Sequence, residues 1–220
     1  MHMNGLKLTF TTILFAVGLG CTHQRTVTPG YTPQIARGIQ PGSICPAGQI
    51  VAVYAVNQSP DGASAGTTKA GIHTFEYSFA NDPAQVLKLG LEQALQVGGC
   101  RLGQQASANL SLGLLRLEAK GLTCGFFTCD GSGQSMVQAT LADAAGRPLA
   151  QRMISSTTTK GCGMAICNET EASEIASDVL TDTIQKTVAA FAVEIKTYLA
   201  GSLPAPAPSP QTGSQPVPRS

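Results

Sequence analysis

The sequence predicts an α+β, two-layer domain: a largely antiparallel sheet of about five to six strands covered by two helices, in the order ββα-βββ-α. Three observations carry this expectation. Two segments repeat apolar residues at helical spacing and open with capping residues. Short β-branched or alternating runs, bounded by Gly, Pro and Asn, lie before and between them. Apolar residues make up 43% of the 220 residues and charged residues 12%, so the chain can bury a core and is neither wholly disordered nor fibrous.

Gln49 to Val56 (QIVAVYAV) is an apolar run between Pro46-Ala47-Gly48 and Asn57-Gln58-Ser59-Pro60, which predicts a buried strand. Residues 58–71 are rich in Gly, Ser, Thr and Ala and read as a loop. Ile72 to Phe79 alternates, with His73, Phe75, Tyr77 and Phe79 on one face of a half-buried strand. Asp82 can cap a helix, and Pro83 fits its first position, where no amide donor is needed. Val86, Leu87, Leu91, Ala94 and Leu95 form its apolar face, and Gly98-Gly99 ends it. Asn109 to Leu117 and Met136 to Leu141 read as strands joined by a Gly/Cys-rich tip. Asp143 to Pro148 (DAAGRP) reads as a turn, and Leu149 to Thr158 as a returning strand. A last helix spans Thr170 to Leu199, with Ile175, Val179, Leu180, Ile184, Val188, Phe191, Ile195 and Leu199 in one stripe. Asn168 and Glu171 are spaced as a capping box.

Flanking composition divides the chain into four parts. Residues 1–20 read as a signal peptide. Met1 to Lys7 carries a cation, and Leu8 to Leu19 is apolar apart from three threonines and one glycine, shorter than the roughly 20 residues a spanning helix needs. Residues 21–44 read as Cys21 followed by a flexible tether, since Thr22 to Ser43 is broken by Pro29, Pro33, Pro41, Gly30, Gly38 and Gly42. Residues 45–200 form the single domain. Residues 201–220 hold Pro204, Pro206, Pro208, Pro210, Pro216 and Pro218, a disordered spacer or an extended recognition ligand. Between Cys45 and Ala200 stand ten cations and thirteen anions with no basic cluster, so nucleic acid is not an expected partner.

Setting Cys21 aside leaves six cysteines, an even number in an exported chain, which predicts disulfides. The strand order brings Cys124, Cys129, Cys162 and Cys167 to one edge of the sheet. A tight loop easily reaches the Cα separation of about 4.4–6.8 Å that a disulfide needs, which favours Cys124–Cys129 and Cys162–Cys167 and leaves Cys45 for Cys100. Crossed pairs between the two loops remain open. Both loops (CGFFTC and CGMAIC) have four residues between cysteines, longer than the two of a zinc ribbon or a thiol–disulfide exchange motif, so no metal site is expected. His73 is the one histidine between residues 45 and 200 and lies in an alternating strand, where a packed or surface histidine is the ordinary outcome. No G-x-S-x-G elbow and no phosphate loop occurs. Glu174, Asp178 and Asp182 recur along one helix face, as on a solvated surface. Phe126-Phe127 in a tight loop either packs on the neighbouring loop or presents one ring outward. With Met164 and Ile166 it makes a candidate partner-binding surface.

Gly20-Cys21, following the apolar segment, resembles the lipobox of bacterial lipoproteins, from which Gly18 and Leu19 depart. That resemblance implies cleavage before Cys21 and acylation of its sulfur and new amine; Thr22, where Asp would favour inner-membrane retention, implies the outer membrane. A soluble secreted chain with free Cys21 is the alternative. The Asp82 to Leu95 helix, the Gly98 to Leu102 exit, the Asn109 to Leu117 strand and Val179-Leu180-Thr181-Asp182-Thr183-Ile184 resemble the YajG-type family of small bacterial envelope lipoproteins. The resemblance implies a non-enzymatic, periplasm-facing lipoprotein, held to the membrane through Cys21 and binding or scaffolding an envelope protein partner, with no cofactor. An accessory lipoprotein of a lipid or lipopolysaccharide transport machine, with a lipid groove between sheet and helices, is the first alternative. A thiol or zinc enzyme is the second.

Overall fold

The computed structural model describes residues 21–30, 39–45, 49–70, 72–124, 129–162 and 168–201. Its elements in chain order are β1 (Cys21–Val27), β2 (Ile50–Asn57), β3 (Ser64–Ala70), β4 (His73–Phe79), α1 (Pro83–Val97), β5 (Arg101–Leu102), β6 (Ala108–Cys124), β7 (Cys129–Asp143), β8 (Pro148–Cys162) and α2 (Glu169–Gly201). The fold is α+β with two helices, as expected, but its strands form two sheets. A five-stranded sheet has the order β5-β2-β6-β7-β8, and a three-stranded sheet has the order β1-β4-β3. The long strands β6, β7 and β8 pair antiparallel, whereas β2 runs parallel to both β5 and β6.

α2 lies across β6, β7 and β8, and α1 lies across β2. Both helices start where the sequence places them. The Asp82 carboxylate accepts from the Ala84 amide at 3.0 Å. Asn168 and Glu171 bond reciprocally at 2.8 and 2.9 Å, closing a capping box. Leu180, Ile184, Phe191, Ile195 and Leu199 of α2 are all buried, together with Leu87, Leu91 and Leu95 of α1. Gly133 permits the close seat of α2, since a Cβ there would stand 2.7 Å from Ile175 Cγ2. The layer is not wholly apolar: Ser135, Ser156, Thr183 and Thr187 are buried, Ser135 and Thr183 share a hydrogen bond, and Ser156 Oγ has no partner among the described residues.

Three parts of the sequence reading are corrected. Cys21 to Val27, read as the start of a flexible tether, forms β1 and pairs in parallel with β4 along its whole length. Residues 64–70, read as loop, form β3 on the other side of β4. The tip between the two central strands is shorter than expected, because the β6–β7 ladder runs on to Cys124 opposite Cys129. Each of these segments is polar or Gly-rich; backbone pairing with a neighbouring strand organises it, so no apolar alternation marks it. β2 also differs in part: Val51, Ala52 and Val53 are buried, but Tyr54 and Val56 are 47% and 57% exposed.

The Cys45–Cys100 disulfide, with Cα atoms 4.9 Å apart, ties the end of the 39–45 segment to the exit of α1. Ile44 and Cys45 amides both donate to the Gly98 carbonyl, at 2.9 and 3.1 Å. Gly98 is required there, because a Cβ would stand 2.5 Å from Ile44 Cδ1.

Candidate functional site

Cys21, His23, His73 and Phe75 come together at one end of the three-stranded sheet. β1 is polar, but it carries alternating residues on the face it shares with β4. Cys21 lies opposite His73 and His23 opposite Phe75, and Arg25 lies opposite Tyr77. Side chains on neighbouring parallel strands stand about 4.8 Å apart, which brings the two histidines together. His23 Nε2 and His73 Nδ1 are 3.0 Å apart, within hydrogen-bond distance. The His23 ring stacks on Phe75 with centroids 4.9 Å apart, and the Arg25 guanidinium lies 5.7 Å from the same ring centroid. This stack half-buries His23 and His73 while Cys21 stays exposed with a free thiol. His73 is thus a packed histidine, and its partner is His23, which the tether reading left out of the fold.

The direction of β1 is fixed by α2. Arg25 reaches Glu169 at 3.9 Å; the Thr28 amide donates to Ser173 Oγ at 2.9 Å and the Gly30 amide to Ser177 Oγ at 2.8 Å. Strand and helix therefore run side by side in the same direction, and Cys21 projects beyond the first turn of α2. The β3–β4 turn lies at the same end, with Ile72 next to the residue that faces Cys21 and 70% exposed.

The cysteine positions converge on neighbouring strands: Cys124 faces Cys129, and Cys129 faces Cys162. Cys162 is buried and disulfide-bonded. Cys167, Phe126, Phe127, Met164 and Ile166 lie outside the described residues, as do the side chains of Cys124 and Cys129 and the segments 1–20 and 202–220. Among the described residues no three His, Cys, Asp or Glu side chains are placed to hold a metal ion, and no helix is long and apolar enough to cross a membrane. A cleft of about 360 Å³ between α1 and the β2–β5 edge has a mixed lining, with Val51, Val53 and Leu102 beside Lys88, Glu92 and Gln104.

Charged groups elsewhere hold turns. The Asp143 carboxylate accepts from the amides of Arg147 and Ala145, both at 2.9 Å, and from Arg147 Nε at 2.6 Å. The Arg147 amide first, and then its guanidinium, outweigh burial and hold the Asp143 carboxyl below its ordinary range. On the α2 face, Glu174 pairs with Lys160 and raises its ammonium pKa, and Asp182 pairs with Lys186 at 2.7 Å.

No family model and no curated protein sequence matches the chain. Its similarity to the YajG-type lipoproteins accordingly stands on the quoted motifs alone. Among solved structures, it is similar to a DUF330 protein from Xanthomonas campestris, with TM-score 0.49 and 13% identity, over 78% of this chain and 94% of that one. It is also similar to a minor lipoprotein from Acinetobacter baumannii (TM-score 0.41, 11% identity, 66% of this chain and 94% of that one). A third likeness is to the PelC dodecamer from Paraburkholderia phytofirmans (TM-score 0.39, 17% identity, 70% and 92%). Likenesses this distant assign neither an activity nor a partner.

Proposed function

We propose that this protein is a non-enzymatic lipoprotein of the bacterial outer membrane, facing the periplasm, that binds or scaffolds another envelope component. The observation that carries the reading is the Gly20-Cys21 junction after a short apolar segment, together with an exposed, unpaired Cys21 at the first residue of the fold. A cysteine buried or disulfide-bonded at that position would be out of reach of acylation; this one is open. The oxidised Cys45–Cys100 pair fits an exported chain. Three acyl chains at Cys21 exceed the two anchoring signals that stable membrane attachment needs. Among the described residues, Leu114, Leu141, Ile175, Leu180 and Ile184 are fully buried between helices and sheet, which favours a scaffold over a lipid carrier. A binding surface around Phe126, Phe127, Met164 and Ile166 belongs to this proposal.

The test is Cys21→Ser. Metabolic acyl labelling should vanish and the protein should leave the membrane fraction. Unchanged labelling in that variant would refute lipidation. Crosslinking of the wild-type protein in intact cells, followed by recovery from outer-membrane fractions, then identifies the partner. A protein recovered only as a monomer would refute the scaffold role.

A further inference from the structure

We infer that the acylated protein has no spacer: the Cys21 end of the three-stranded sheet sits directly on the bilayer, with Ile72 dipping into it, and α2 stands away from the membrane. This rests on the lipidation reading. In a lipoprotein with a disordered tether of about twenty residues, the domain wanders by roughly 5–6 Å times the square root of the tether length. Here β1 is paired from Cys21 itself, so the acyl chains and the folded sheet share a residue. The lipid can then hold the domain in a defined orientation.

Heights follow from the register. Arg25 is level with Glu169 at the start of α2, and the strand from Arg25 to Cys21 rises about 3.3 Å per residue, placing Cys21 about 13 Å below that level. Glu169 stands at that level and the carboxylates of Glu171, Glu174 and Asp178 higher along α2, above the height at which Ile72 meets the lipid. At the level of Cys21 itself the neighbours suit an interface: Ile72 is 70% exposed, Thr22 is exposed and uncharged, and Lys69, one rung further along the β3–β4 ladder, is exposed. An isoleucine this open beside three acyl chains gains by entering the hydrocarbon boundary, and a lysine beside it can reach the phosphates. Val193, 71% exposed on α2, lies about 50 Å from the same plane at 1.5 Å rise per helical residue.

The chain has no tryptophan, so single reporters can be introduced. Ile72→Trp, Lys69→Trp and Val193→Trp all fall at exposed positions, where a larger side chain should be accommodated without repacking. Each full-length variant is purified from membranes, its acylation at Cys21 is read by mass spectrometry, and it is placed in phosphatidylethanolamine vesicles containing lipid brominated near the headgroup end of its chains. Ile72→Trp should shift its emission to the blue and lose most of it to bromine, Lys69→Trp should lose part of it, and Val193→Trp should lose none. An acylated, vesicle-bound Ile72→Trp variant whose emission stays unquenched would overturn the seated orientation and leave lipidation standing. Protein found unacylated would overturn both.

Discussion

The Cys45–Cys100 disulfide should hold a large share of the stability of this fold. The bond closes a loop of sequence separation 55 that contains β2, β3, β4 and α1, and both cysteines are buried. In the chain-entropy account, a closure of that size removes about 14 cal/mol/K from the unfolded chain, or about 4 kcal/mol at room temperature. A further contribution is local. Without the bond, the 39–45 segment is held to the α1 exit by the hydrogen bonds of Gly42, Ile44 and Cys45 and by Ile44 against Gly98. The perturbation is the double variant Cys45→Ala/Cys100→Ala, which leaves no new thiol to exchange with Cys124, Cys129, Cys162 or Cys167. For a domain of this size about 4 kcal/mol corresponds to a fall in Tm of roughly 8–16 °C. Thermal unfolding followed by far-UV circular dichroism, with wild type and variant purified from the same compartment, reads it directly. A fall of less than about 3 °C would show that the enclosed elements stay ordered in the unfolded ensemble, and would refute the entropic reasoning.

Two further perturbations test the core and the turn. Leu180 belongs to the buried stripe of α2, so Leu180→Ala should cost about 2–5 kcal/mol, a large part of a typical total of about 5–15 kcal/mol, and Leu180→Asp should prevent folding; a wild-type melt for Leu180→Asp would make α2 peripheral. For Asp143, the folded carboxyl titrates below its unfolded value, so its stabilisation is complete above about pH 4 and fades as pH falls through the folded pKa. The stability gap between wild type and Asp143→Asn, measured by urea unfolding, should therefore narrow below about pH 4, and a gap constant from about pH 7 to pH 3 would contradict the assignment.

Much of the fold was legible in the sequence because it is written in side chains. Asp82, Pro83 and Gly98 mark the ends of α1, and Asn168 with Glu171 marks the start of α2. The alternation in Asn109 to Leu117 and Met136 to Leu141 locates β6 and β7. The candidate site was harder to read. Cys21 stood out after the short apolar segment, but His23 did not, because a histidine in a segment of Thr, Gln, Pro and Gly carries no periodic signal. Its pairing with His73 exists only once β1 lies beside β4.

Local chemistry alone specifies the two helices, the antiparallel centre of the large sheet, the apolar stripe between them and the lipobox-like junction. These rest on capping groups and on apolar spacing, and both act within a few residues. Backbone pairing was needed to divide the strands into two sheets and to set β3 beside β4, and long-range pairing to lay β1 along the other side of β4 and make Cys21 begin a strand instead of a tether. β1 buries a single apolar residue, Val27, and β3 just Ala65 and Thr68. What orders them is the row of backbone donors and acceptors that β4 offers on each side: to β1 across about fifty positions of sequence, and to β3 across a short hairpin whose polar residues carry no apolar alternation to read.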